Sequence, residues 1–267
     1  MKRALLFCVL AVLASAARAQ QTLLPAYGLP VPDPALAPGA ARLALQGGYG
    51  VVSGAGASLH GFFGGWAIEA AASERWSFGA GCGGHGLGGN LSLPTQGSVG
   101  ATAVGVDPGG FIARRFEWRG LRAALHGGLS FPFETQSYAV SVLSVSGGGK
   151  VSLTPDQSYA LSVSVPVGLA VTAPLGPRWS VEFDATVAQT VAGKRWDTYA
   201  FVGPVTPART SGVSPYPVFR ASASVRHASS GLAVLGDYAA RPRVDGNGGL
   251  WAMAARLGWN YGLRSGK

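Results

Sequence analysis

From Tyr159 to Ala173 the chain alternates with a period of two. Tyr159, Leu161, Val163, Val165, Val167, Leu169 and Val171 are apolar, and the residues between them, Ala160, Ser162, Ser164, Pro166, Gly168, Ala170 and Thr172, are small or polar. Successive strand side chains point to opposite faces, so this segment is a ribbon with one oily side. After Pro174-Leu175-Gly176-Pro177 the alternation resumes, with Trp179, Val181, Phe183, Ala185 and Val187 opposite Arg178, Ser180, Glu182, Asp184 and Thr186. The pair reads as a strand–turn–strand hairpin.

The same pattern recurs along most of the chain. In Ala41–Val52, Leu43, Leu45, Tyr49 and Val51 oppose Arg42, Gln46 and Gly48, and in Leu121–Phe133, Leu125, Leu129, Phe131 and Phe133 oppose Arg122, His126 and Ser130. Phe62–Ala70, Trp76–Gly83, Gly97–Val106, Phe111–Trp118, Tyr216–Arg226, Leu232–Ala240 and Leu250–Leu263 read as further strands. Tyr138–Leu153 loses phase near Leu143 and holds one strand or a loop hairpin. Short links (Ser73–Arg75, Arg119-Gly120, Pro174–Pro177, His227–Ser230) contrast with long ones (Gly84–Gln96, Ala192–Pro215, Arg241–Gly249).

Composition decides what the oily faces meet. Only 12% of residues are charged and 41 are glycine, against an ordinary charged share near 25%, and no stretch of about 20 apolar residues offers a spanning helix. A soluble β-sandwich also alternates, but it carries more surface charge. Strands in hydrocarbon must close on themselves, because an open edge leaves N–H and C=O groups without partners. The expected fold is therefore all-β: an antiparallel transmembrane β-barrel of about twelve strands, with ten the main alternative, since single-chain bacterial barrels use even numbers. Trp76, Trp118 and Trp179 beside short turns, and Trp251 near an opposite strand end, suit the aromatic girdles of such a barrel.

The termini add an export address. Lys2 and Arg3 precede the apolar run Ala4–Leu13, and Ala17-Arg18-Ala19 closes it, the pattern of a signal peptide over residues 1–19. Residues 20–40 form a Pro-rich periplasmic leader that cannot sit inside a sheet, and 41–267 form the barrel. Removing residues 1–19 leaves Cys82 as the one thiol, so no internal disulfide and no Cys/His zinc spacing supports the fold.

At the other end, Arg256, Gly258, Tyr261 and Leu263 are spaced as a polar residue, a glycine two positions on, and two alternate hydrophobic residues. This stretch resembles the C-terminal assembly signal of bacterial outer-membrane β-barrel proteins, although Arg264–Lys267 follow it. The resemblance implies the Gram-negative cell outer membrane as location, with outer-membrane lipid and the barrel-assembly machinery as partners. Members of that broad set include pores, adhesins, lipid-modifying enzymes and structural proteins.

The predicted lumen face is Ala, Ser, Gly and Thr, punctuated by Arg122, Arg178, Glu182, Asp184, Arg220, Arg226, Asp237 and Arg256. Small residues leave room inside a barrel of ten or twelve strands, and an excess of arginine would give a weak anion preference to a narrow pore passing small ions or solutes. The competing expectation is a structural or surface-interaction barrel without transport. A lipid-modifying hydrolase is a third, lesser reading. His126 and Ser130 share a face but lie about 13 Å apart along a strand, too far for a catalytic pair. His60, His85, His126 and His227 show no metal-ligand spacing, and the Gly-rich Gly79–Gly89 lacks the GK[ST] of a phosphate loop. The expectation is no catalytic residue, no metal and no cofactor. The basic residues are scattered without aromatic clusters, which argues against nucleic acid.

Overall fold

The computed structural model describes residues 31–54, 56–93, 97–138, 142–146, 150–154, 157–199, 206–213, 215–242 and 249–263; the expected signal peptide and the first part of the leader lie outside them. The strands are β1 (Ala41–Gly54), β2 (Ala57–Ala71), β3 (Trp76–Leu93), β4 (Gly97–Trp118), β5 (Leu121–Ser130), β6 (Phe133–Tyr138), β7 (Val142–Ser146), β8 (Lys150–Thr154), β9 (Gln157–Pro174), β10 (Trp179–Tyr199), β11 (Thr206–Gly212), β12 (Pro217–His227), β13 (Leu232–Arg241) and β14 (Leu250–Leu263).

Ten of them form one closed antiparallel ring in the order β1-β2-β3-β4-β5-β9-β10-β12-β13-β14, and β14 returns to β1 with Ala41 opposite Leu263 and Gly54 opposite Leu250. No edge is left within the ring, which satisfies the backbone in hydrocarbon. The expected twelve is corrected to ten. Gly97–Val106 and Phe111–Trp118 are one strand, β4, running through Asp107-Pro108-Gly109-Gly110. Pro108 falls where the partner of β4 passes from β5 to β6, so the proline and the break in its neighbour coincide. β6 prolongs β5 beyond Pro132 and fits between β4 and β9. β11 pairs with the far end of β10 alone, and β7–β8 is a separate hairpin. Two expected long links also shorten: most of Gly84–Gln96 belongs to β3, and Ala192–Pro215 holds the end of β10 and all of β11.

The two faces of the ring have exchanged their usual chemistry. Leu257 is 68% exposed and Val234 62%, whereas Arg256, between two exposed neighbours on β14, is 2% exposed. Oily residues cover the outside and charges fill the inside, the arrangement expected when lipid rather than water is the outer solvent. Trp76, Trp118 and Trp179 are exposed at the short-turn end and Trp251 near the other. The short-turn end also carries the start of β1 and the end of β14.

Candidate functional site

At the short-turn end the lumen is occupied by the chain itself. Residues 31–40, expected as part of an extended leader, turn back into the mouth of the ring, and Pro32 and Asp33 are buried there. Asp33 accepts from Ala35 N–H across its own turn at 2.8 Å, and Gly39, at φ +74°, makes the bend into β1 that a side chain would strain. The Asp33 N–H donates to Glu69 Oε2 at 2.8 Å, Arg226 Nη1 donates to Asp33 Oδ2 at 2.7 Å, and the Arg42 guanidinium reaches the Val31 carbonyl. Around it, Arg42 Nε donates to Glu69 Oε2 at 2.9 Å, Ser77 Oγ to Glu69 Oε1 at 2.7 Å, and Arg226 Nη2 lies 2.7 Å from Glu182 Oε1. Arg115 fixes the segment from the other side, donating to the carbonyls of Leu36 and Ser73. Burial alone would raise the Asp33 carboxyl, but the Arg42 and Arg226 guanidiniums hold it below the ordinary aspartate range.

Deeper in the barrel, Arg256 on β14 grips Asp237 on β13, with Nε donating to Oδ2 at 2.7 Å and Nη2 lying 2.5 Å from Oδ1, while Arg220 of β12 stands 3.5 Å from the same carboxylate. Beside them His126 Nε2 lies 2.8 Å from Asp184 Oδ2, and Thr186 Oγ1 donates to Asp184 Oδ1 at 2.7 Å. Gly168 makes this contact possible, because a Cβ there would sit 2.5 Å from Thr186 Oγ1 and 2.6 Å from His126 Nε2. Two voids against these side chains are small: about 70 Å³ against Arg42, Asp184, Arg220 and Arg256, and about 10 Å³ against His126 and Asp184. The first holds a few waters and the second about one.

Towards the long-loop end the inner wall divides. On the side of β6, β9 and β10, Arg195 Nε donates to Asp197 Oδ1 at 2.7 Å, Ser158 Oγ donates to the same oxygen at 2.6 Å, and Gln136 Nε2 donates to Glu134 Oε1 at 2.5 Å. The opposite side is a buried apolar cluster that includes Val52, Leu59, Phe63, Leu87, Val218 and Leu250.

The structure therefore brings six of the eight expected lumen charges together: Glu182, Asp184, Arg220, Arg226, Asp237 and Arg256. It leaves Arg122 and Arg178 exposed at the short-turn end. Arg256 and Gly258, two of the residues expected to form an assembly signal, face inwards, while Tyr261 and Leu263 are exposed. Reading the sequence missed Asp33, Glu69, Asp107, Glu134 and Asp197 as inward carboxylates, all of them buried, so arginines do not outnumber carboxylates inside. Arg195 and Asp197 escaped because the sequence reading ended the strand before Ala192, where a register slip of one between Thr190 and Ala192 breaks the alternation; β10 runs on to Tyr199 with both side chains inward. Among the described residues no group of three or more His, Cys, Asp or Glu is placed to hold a metal ion.

No family model matches the chain, and no curated protein matches it in sequence. Solved structures do share its architecture. The outer-membrane protease OmpT from Escherichia coli superposes with a TM-score of 0.57 at 10% identity, over 85% of this chain and 97% of that one. The fold is that of an outer-membrane β-barrel. Two further outer-membrane barrels match more distantly: the translocator domain of the autotransporter NalP from Neisseria meningitidis (TM-score 0.41, 14% identity, 84% of this chain and 90% of that one) and OprG from Pseudomonas aeruginosa (TM-score 0.37, 10% identity, 84% and 97%). Among the described residues, ion pairs and apolar packing line the inner face.

Proposed function

We propose that this chain is a structural outer-membrane barrel whose lumen is closed, shut at the periplasmic mouth by residues 31–40 and towards the outside by its apolar inner cluster. The observation that carries this reading is Asp33, buried between Arg42 and Arg226 inside the ring. A narrow pore with weak anion preference needs a continuous wet path and a surplus of inward arginine. Among the described residues the inward charges are balanced, and beside the Arg256–Asp237 and His126–Asp184 pairs the inner wall leaves voids of about 70 and 10 Å³. The reading is also non-enzymatic. His126 and Asp184 form a close pair that Thr186 joins, and the likeness to a protease at 10% identity is one of fold.

Planar-bilayer recording tests this. The protein should give no sustained current, with or without residues 31–40, because the apolar cluster and the ion-paired side chains opposite it remain when the segment is removed. A steady current through the unaltered protein would overturn the closed reading. Current appearing only after removal of the segment would replace the structural role with that of a gated pore.

A further inference from the structure

Outside the lumen, the short-turn end carries an open groove of about 750 Å³ between residues 34–38 and the ends of β3, β4 and β5, lined among others by Glu74, Arg75, Arg114, Arg115, Glu117 and Arg122. Four arginines face two glutamates there. Arg115 is already engaged by the Leu36 and Ser73 carbonyls, which ties the proline-flanked segment to the β2–β3 turn and sets the groove wall. Arg75, Arg114 and Arg122 are exposed, and among the described residues no ion pair joins them to a carboxylate.

Arg114 is the informative member. It belongs to the lipid-facing series of β4, between Ile112 and Phe116, and pairs with Trp76 on β3 and Leu125 on β5, both exposed. Trp76, Phe116 and Trp118 mark the depth of the aromatic girdle, where hydrocarbon gives way to headgroups. A guanidinium on this wall meets lipid rather than a soluble protein, and its planar fork matches the oxygens of a phosphate. Among the described residues the concentration is one-sided: the turn Pro174–Pro177 is flanked by Arg178 alone, and Ala228–Ser230 carries no cation.

We infer that this groove binds the headgroup phosphate of an anionic phospholipid in the periplasmic leaflet, with Arg75, Arg114 and Arg122 as its donors and the acyl chains lying along exposed Phe78 and Ile112. The binding is independent of whether the lumen conducts.

The folded full chain in neutral detergent, offered equal amounts of phosphatidylglycerol and phosphatidylcholine and read by native mass spectrometry, should retain phosphatidylglycerol preferentially, by about fivefold for each arginine engaged. The triple variant Arg75→Gln, Arg114→Gln, Arg122→Gln should lose that preference, and Arg178→Gln should keep it. Arg114→Gln alone, which removes no internal hydrogen bond, should lower the preference about fivefold and serves if the triple variant fails to assemble. Equal retention of the two lipids, or a preference that Arg114→Gln leaves undiminished, would overturn the assignment. So would displacement of the lipid by equimolar inorganic phosphate, which would mark a free-anion site instead.

Discussion

A single carboxylate decides how residues 31–40 sit. Asp33 is met by Arg42 from β1, Glu69 from β2 and Arg226 from β12, with Glu182 of β10 sharing Arg226. Since its pKa is lowered in the docked state, the docked state gains stability that is fully present above the undocked value, near 3.9, and is lost as pH falls through the lower docked one. In a Cys82→Ala background, a cysteine placed at the buried Pro32 should therefore stay slow to react with an aromatic disulfide, which takes thiols in acid, from neutral pH down to about 4 and become reactive below that. Asp33→Asn removes the charge-assisted bond from Arg226, worth about 2 kcal/mol, and should raise labelling at neutral pH some tens of fold. Unchanged labelling in Asp33→Asn would show that packing of the segment, not charge, seats it.

At the scale of one strand, β9 displays the whole code. Leu161, Val167 and Leu169 are exposed, and Ser162, Ser164, Pro166, Gly168 and Ala170 are buried. Val165→Arg puts a cation on the lipid face and should cost about 2–4 kcal/mol near mid-membrane, read as a loss of heat-modifiable protein that Val165→Leu does not show. Equal assembly of the two would mean that this face is not in lipid. The inner face is not a permissive alternative. Ser164 is 1% exposed with its Oγ 3.1 Å from Thr190 Oγ1, so an arginine there would overpack the interior. Local alternation was legible at this scale, and the phase read from the sequence for β9 and β14 matches the structure. It failed where an element departs from strict pairing: at the bulge in β10, which turned Arg195 and Asp197 inwards, and at Pro108, which reads as a break and is not one.

For the whole molecule, closure is the step on which everything else depends. Leu45 of β1 faces Trp259 of β14 across the seam, both pointing outwards. With cysteines at these two positions and Cys82→Ala, oxidation should join the first and last strands, since directly opposed residues fall within disulfide reach. The joined ring cannot unroll, so its mobility after boiling should differ from that of the reduced protein. A pair at Leu45 and Leu257, two positions out of register, should join poorly; equal cross-linking of the two pairs would mean that the seam is not fixed. By itself the sequence determined most of the strands, the lipid-facing side of β1, β5, β9, β14 and the first part of β10, and the need for closure, because alternation is written residue by residue and hydrocarbon forbids an open edge. Only the tertiary structure decided that ten strands close rather than twelve, that arginines and carboxylates balance inside, and that Asp33 turns back into the mouth. Each of these depends on which side chains meet across the lumen, and that is set by closure, register and one bulge, long-range geometry that a period of two does not encode.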